Sequence, residues 1–145
     1  MRVKIRTASP DDAKAISKLI RDELQTPVSA SDTASWLSQL CVNSRHKIFV
    51  AAVDDVVVGF LHACEYDSML LTAPMKTVFA MAVGASYRRI GIGKALLHRA
   101  ECWAFEQGAG GVRMDGGVPA KEAEKFFTAC GYAGTPFTKE FEKIR

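Results

Sequence analysis

The chain has no C-x-x-C pair. Its four cysteines, Cys41, Cys64, Cys102 and Cys130, stand far apart, which excludes the common zinc and dithiol motifs. They read as buried thiols in a reducing compartment, and no metal site is expected. No apolar run approaches membrane-spanning length. Residues 1–6 alternate polar and apolar side chains where a signal peptide would need a continuous apolar stretch. A soluble cytoplasmic protein without a membrane partner is therefore expected. Charge of one sign is also scarce: 19 Lys and Arg face 16 Asp and Glu, a net charge of +3. The basic residues are scattered apart from Lys4, Arg6 and the Arg88-Arg89 pair, so no basic face points to a nucleic-acid partner. There is no internal repeat, linker or low-complexity tract. At 145 residues, 48% of them hydrophobic, the sequence fits one domain over residues 1–145 with a substantial core.

Val3 and Ile5 alternate with charged neighbours as a strand with one buried face. Ser9 and Pro10 then open a helix whose apolar stripe is Ala15, Ile16, Leu19, Ile20 and Leu24, and Thr26-Pro27 ends it. Ser31-Asp32 is read as the cap of a second short helix with Trp36, Leu37 and Leu40 inward. Residues 48–53 and 56–61 flank Asp54-Asp55 as a strand pair at the sheet centre. Residues 77–83 are nearly all apolar, which predicts a strand buried on both faces. A helix through Ala95, Leu96, Leu97, Ala100, Trp103, Ala104 and Phe105 closes at Gly108. A parallel strand at 111–115, a helix from about Ala120 to Gly131 and a final strand within 137–144 complete the order.

The most informative stretch is Arg88, Arg89, Ile90, Gly91, Ile92, Gly93 and Lys94, a turn between an apolar strand and a helix. The first amides of a helix lack internal partners and carry the positive end of its dipole, so they can hold phosphate oxygens. Gly91 and Gly93 have no Cβ to keep a ligand away.

Arg88, Gly91 and Gly93 fill a Q/R-x-x-G-x-G/A signature, and with the element order the chain resembles the GNAT superfamily of acyl-CoA-dependent N-acyltransferases over essentially its whole length. That resemblance implies an α/β (α+β) fold: a mixed, mostly antiparallel central sheet flanked by helices on both faces, with a splayed parallel strand pair at the cofactor site. It also implies that residues 89–94 bind the pyrophosphate of acetyl-CoA, and that Met81, Ala82 and Val83 lie beside its pantetheine arm. A second family pattern meets Ala120, Ala123, Phe127, Gly131 and Tyr132. Here Phe127 stands where the family often has a Tyr that protonates the departing thiolate, and Phe79 stands where many relatives carry a Glu base. Ala120 replaces a common Asn.

Direct attack by an amine needs a group or water chain to take its proton. Glu65 and Asp67, ending the third strand, are the candidate bases, to be weighed against ordinary solvated carboxylates. Tyr132 or water is the candidate donor to the thiolate. Asp115 is a candidate for acceptor contact, Tyr66 and Trp36 for lining the acceptor pocket, and His62 reads first as a satisfied core histidine. No cysteine stands near a base in sequence, which argues against a covalent acyl-enzyme. The reaction implied is N-acetylation of a primary amine on a small molecule or peptide in a ternary complex. The alternatives are a non-catalytic acyl-CoA binder of the same fold and a Rossmann-type nucleotide module, the latter disfavoured by a single strand–helix–strand unit in mid-chain. The closing pattern from Gly131-Tyr132 resembles small bacterial members acting on aminoglycosides or other small amines. For such a polycation, Glu23, Asp32, Glu65 and Asp67 would have to gather into an acidic pocket. A homodimer could form through the last strand.

Overall fold

The computed structural model describes residues 2–114, 121–134 and 143–144. Strands β1 (Val3–Thr7), β2 (His46–Val53), β3 (Val56–Tyr66), β4 (Met75–Val83) and β5 (Gly111–Met114) form one sheet in chain order. The first four pair antiparallel and β5 pairs parallel to β4. Helix α3 (Ile92–Glu106) makes the crossover that a parallel pair requires. Helices α1 (Ala13–Leu24) and α2 (Ala30–Leu40) precede β2, and α4 (Lys121–Ala129) follows β5.

Both faces of the sheet are covered, which explains the unbroken apolar runs. In β2, Ile48 and Val50 join a core with Ile16 and Leu19 of α1 and Leu37 of α2. Their neighbours Phe49, Ala51 and Val53 point the other way, into a core with Leu96, Leu97, Ala100 and Trp103 of α3. Alternation of side chains along a strand feeds both cores at once. The Asp54-Asp55 turn has φ of 49° and 69°, the paired positive values that suit the twist of a two-residue hairpin.

Several details differ from the sequence reading. Helix α2 starts earlier, with the Asp32 amide donating to Ser29 Oγ at 3.0 Å. Trp36 is 61% exposed, so the inward stripe of α2 is Leu37 with Leu40 at its edge. Val3 lies near the end of an edge strand and is exposed, leaving Ile5 as the packed residue of β1. Pro10 opens a short 3-10 turn, Pro10–Asp12, and α1 follows from Ala13. Only Cys64 is buried; Cys41 is exposed, and Cys102 and Cys130 are intermediate. The final strand within 137–144, together with Asp115 and Ala120, lies almost wholly outside the described residues.

Candidate active site

Among the described residues, β4 is paired further on its β3 side than on its β5 side. Its β5 side is laddered only from Met75 to Val78, whereas its β3 side is paired as far as Val83. Among the described residues, the edge from Phe79 to Val83 therefore has no strand partner on one side. Such an edge presents free N–H and C=O groups. The edge begins at a bulge: His62 pairs with Ala80 and Ala63 with Val78, which leaves Phe79 without a partner on β3. The extra residue turns Phe79 outward to 46% exposure, against the expectation of burial on both faces. Met81 and Val83 pack toward α3, and Ala82 packs toward α1.

Gly84 and a short 3-10 turn, Ala85–Tyr87, join this edge to the glycine turn. Arg89 and Gly91 have φ of 64° and 88°, and Gly91 caps α3. The Ala95 amide donates to the Gly91 carbonyl at 3.0 Å, so the amides of Ile92, Gly93 and Lys94 precede the helix's first internal bond. Ile92 is 2% exposed and pins this end of α3 in the core, while Arg88, Arg89, Ile90 and Lys94 face solvent. A Cβ on Gly91 would meet no atom within 4 Å; the space before it is open to a ligand. Gly93 works differently: a Cβ there would lie 3.3 Å from Phe126 Cζ, so its missing side chain lets α4 close on α3. Arg88 pairs with Glu23 at the end of α1, and the same carboxylate accepts the Ala85 amide at 3.2 Å. That pairing fixes the loop's approach to the helix.

The acid–base candidates are all engaged. Glu65 lies between Lys76 Nζ at 3.2 Å and Arg45 Nε at 3.4 Å. Asp67 pairs with Arg45. Lys76 is 4% exposed and sits 4.9 Å from the Trp103 ring centre, so Glu65 serves as the counter-charge of a buried ammonium. Tyr132 donates its hydroxyl to Glu101 Oε2 at 2.8 Å, joining the end of α4 to α3. Burial and that carboxylate hold its proton well above the ordinary phenol range. Three of the four acidic residues needed to receive a polycation are likewise committed, Glu23 to Arg88 and Glu65 and Asp67 to Arg45, while Asp32 stands exposed at the head of α2.

Two groups beside the unpaired edge went unnoticed or undervalued in the sequence. His62 Nε2 and His46 Nδ1 lie 3.0 Å apart, and the His62 ring centre is 5.4 Å from that of Phe79. Burial, then the neighbouring His46, lowers the His62 pKa to about 4, so the imidazole is neutral at pH 7. The signal was present, since His46 and His62 stand on strands that pair, but the register was needed to see it. The second group is Arg113 with Thr77, adjacent on β5 and β4. Cys102 also has a partner, His98, 3.6 Å away across one turn of α3, although His98 faces solvent.

The profile of the Acetyltransferase (GNAT) family matches residues 13–132. An aminoglycoside N(6')-acetyltransferase type 1 of Stenotrophomonas maltophilia is 27% identical over 135 residues, covering 90% of this chain and 86% of that protein. Among solved structures, a transcriptional regulator of Bacillus halodurans superposes with a TM-score of 0.88 at 16% identity, covering 98% of this chain and 100% of the other. An aminoglycoside N-acetyltransferase in complex with CoA superposes with a TM-score of 0.85 at 19% identity, covering 98% and 95%. The two superpositions speak to the fold.

Proposed function

The chain belongs to the GNAT family of acetyltransferases, and from that premise we propose that it transfers an acetyl group from acetyl-CoA to a primary amine of a small molecule or peptide, by direct attack in a ternary complex. One observation carries the reading: the β4 edge from Phe79 to Val83, unpaired on one side among the described residues, leads through the short 3-10 turn Ala85–Tyr87 to the amides at the start of α3, which lack internal partners. Residues present suit the cosubstrate, because Gly91 leaves space where a side chain would stand and the helix start favours an anion.

Acetyl-CoA supplies a thioester already activated toward amines. The amides of Ile92, Gly93 and Lys94 hold its pyrophosphate, with Arg89 and Lys94 adding charge. The backbone of Met81, Ala82 and Val83 pairs with the extended arm, and free amides along that edge stabilise negative charge at the reacting carbonyl. For the amine proton, Glu65 and Asp67 compete poorly because both are held by cations. His62 is better placed, beside Phe79 and hydrogen-bonded to His46. Its low proton affinity suits a conduit that passes a proton on through His46 rather than a store. Water returns a proton to the thiolate, since Tyr132 would first have to leave Glu101.

Calorimetry with acetyl-CoA, followed by amine-dependent release of free thiol, tests the proposal. Saturable binding and intersecting initial-rate patterns are expected; binding without release by any amine would leave only the non-catalytic alternative. Replacing His62 by Gln should lower kcat about 100-fold or more without changing the KM for acetyl-CoA. Glu65→Gln or Asp67→Asn producing the larger loss would move the base to the carboxylates.

A further inference from the structure

Thr77 and Arg113 are register partners on the parallel β4–β5 pair, one step before Val78 and Met114, the last pair among the described residues. Val112 and Met114 pack into the α3 core, so alternation sends Arg113 to the opposite face. His62, whose neighbours Leu61 and Ala63 enter the α3 core, points to that same opposite face. Thr77 is 1% exposed, and its Oγ1 has no hydrogen-bond partner among the described residues. The Arg113 Nε is also buried without a partner among them. The guanidinium lies 4.3 Å from the Tyr66 ring centre, a contact that orients it without neutralising it. Among the described residues, the recorded ion pairs bring Arg45 and Lys76 to carboxylates but bring none to Arg113.

A buried hydroxyl and a buried guanidinium nitrogen left unpaired side by side are costly, and such groups call for an explanation. They stand about 7 Å along the strand from Phe79, where the unpaired edge begins. Resting on the acetyl-transfer reading above, we propose that Arg113 and Thr77 bind a carboxylate of the acceptor, which is therefore an amino acid or short peptide rather than a polycationic amine. A guanidinium offers parallel N–H donors that match a planar carboxylate, and the Thr77 hydroxyl adds a third donor. The same cation repels a polycation, and Glu23, Glu65 and Asp67, which would counter it, are committed to Arg88, Arg45 and Lys76.

The test compares dipeptides bearing a free carboxylate with their C-terminal amides, and with kanamycin as the polycation. Free acids should exceed amides at least 10-fold in kcat/KM. Arg113→Gln should erase that ratio through KM, Arg113→Lys should restore part of it, and Thr77→Val should reduce it several-fold. The KM for acetyl-CoA should hold throughout. Equal use of acids and amides, or a preference for kanamycin, overturns the proposal. Should no acceptor be turned over, calorimetry of the acid–amide pairs on the acetyl-CoA-bound protein decides: binding of acids that Arg113→Gln abolishes supports the site, and its absence rejects it. Failure of acetyl-CoA itself to bind would instead reject the transferase reading, and acid binding to the protein alone is measured separately. The melting temperature adds a readout that a structural role would move oppositely: Arg113→Gln should keep or raise it.

Discussion

His62 couples the site to pH. Its folded pKa of about 4 lies below the ordinary imidazole value of 6.5, so the unfolded chain takes up a proton that the native state refuses. Stability therefore falls as pH drops from about 6.5 to about 4, by about 3 kcal/mol in all. His46, lowered by burial and then by Arg45, acts in the same direction. Asp12 adds a separate loss at lower pH. Its carboxyl is held below the usual range chiefly by hydrogen bonds from Arg6 at 2.8 and 2.9 Å, and that contribution disappears as pH falls through its folded value. Urea titrations from pH 7 to pH 4 should show the first loss in the native protein and a smaller one in His62→Asn, where His46 still acts. The two glycines of the turn separate in the same spirit. Gly91→Val should abolish acetyl-CoA binding at a stability cost of about 1–2 kcal/mol from its positive φ, read by calorimetry and denaturation together. Gly93→Val should instead loosen α4, because the new side chain meets Phe126.

At the level of elements, the hairpin and the helix starts are governed by local chemistry. Asp55 has a φ of 69° without being glycine, so Asp55→Gly should raise stability by about 1 kcal/mol, measured as a higher urea midpoint with unchanged slope. Ser29→Ala removes the acceptor for the Asp32 amide at the head of α2 and should cost about 1 kcal/mol. The alternation of β2, the glycine turn and the crossover to β5 were legible in the sequence because each rests on neighbours a few residues apart. Trp36 was misplaced for the complementary reason. An apolar residue at helical spacing satisfies the pattern, but only packing against the sheet shows that Leu37 fills the inward position and leaves Trp36 in solvent.

For the molecule as a whole, cosubstrate binding should act on global stability. Acetyl-CoA at 100 times its Kd adds about 2.7 kcal/mol to the native state, a rise in melting temperature of about 5–11 °C for a chain of this size. A thermal melt with and without the ligand checks this, and Gly91→Val should show no such rise. The two cores on either face hold β4 between α1 and α3. The part of β4 beyond Val78, unpaired on its β5 side among the described residues, is thus held by packing on both faces.

The sequence alone determined the order of the described elements, the two-faced burial of β2 and the glycine turn that opens α3, since periodicity and turn chemistry are local. Only the tertiary structure decided what the acid–base groups do. Glu65 and Asp67 became partners of Lys76 and Arg45, and Tyr132 of Glu101. His46 met His62, and Arg113 met Thr77. Those pairings join residues on different elements, so they are fixed by strand register and by a one-residue bulge at Phe79, quantities that side-chain patterns along one strand do not encode.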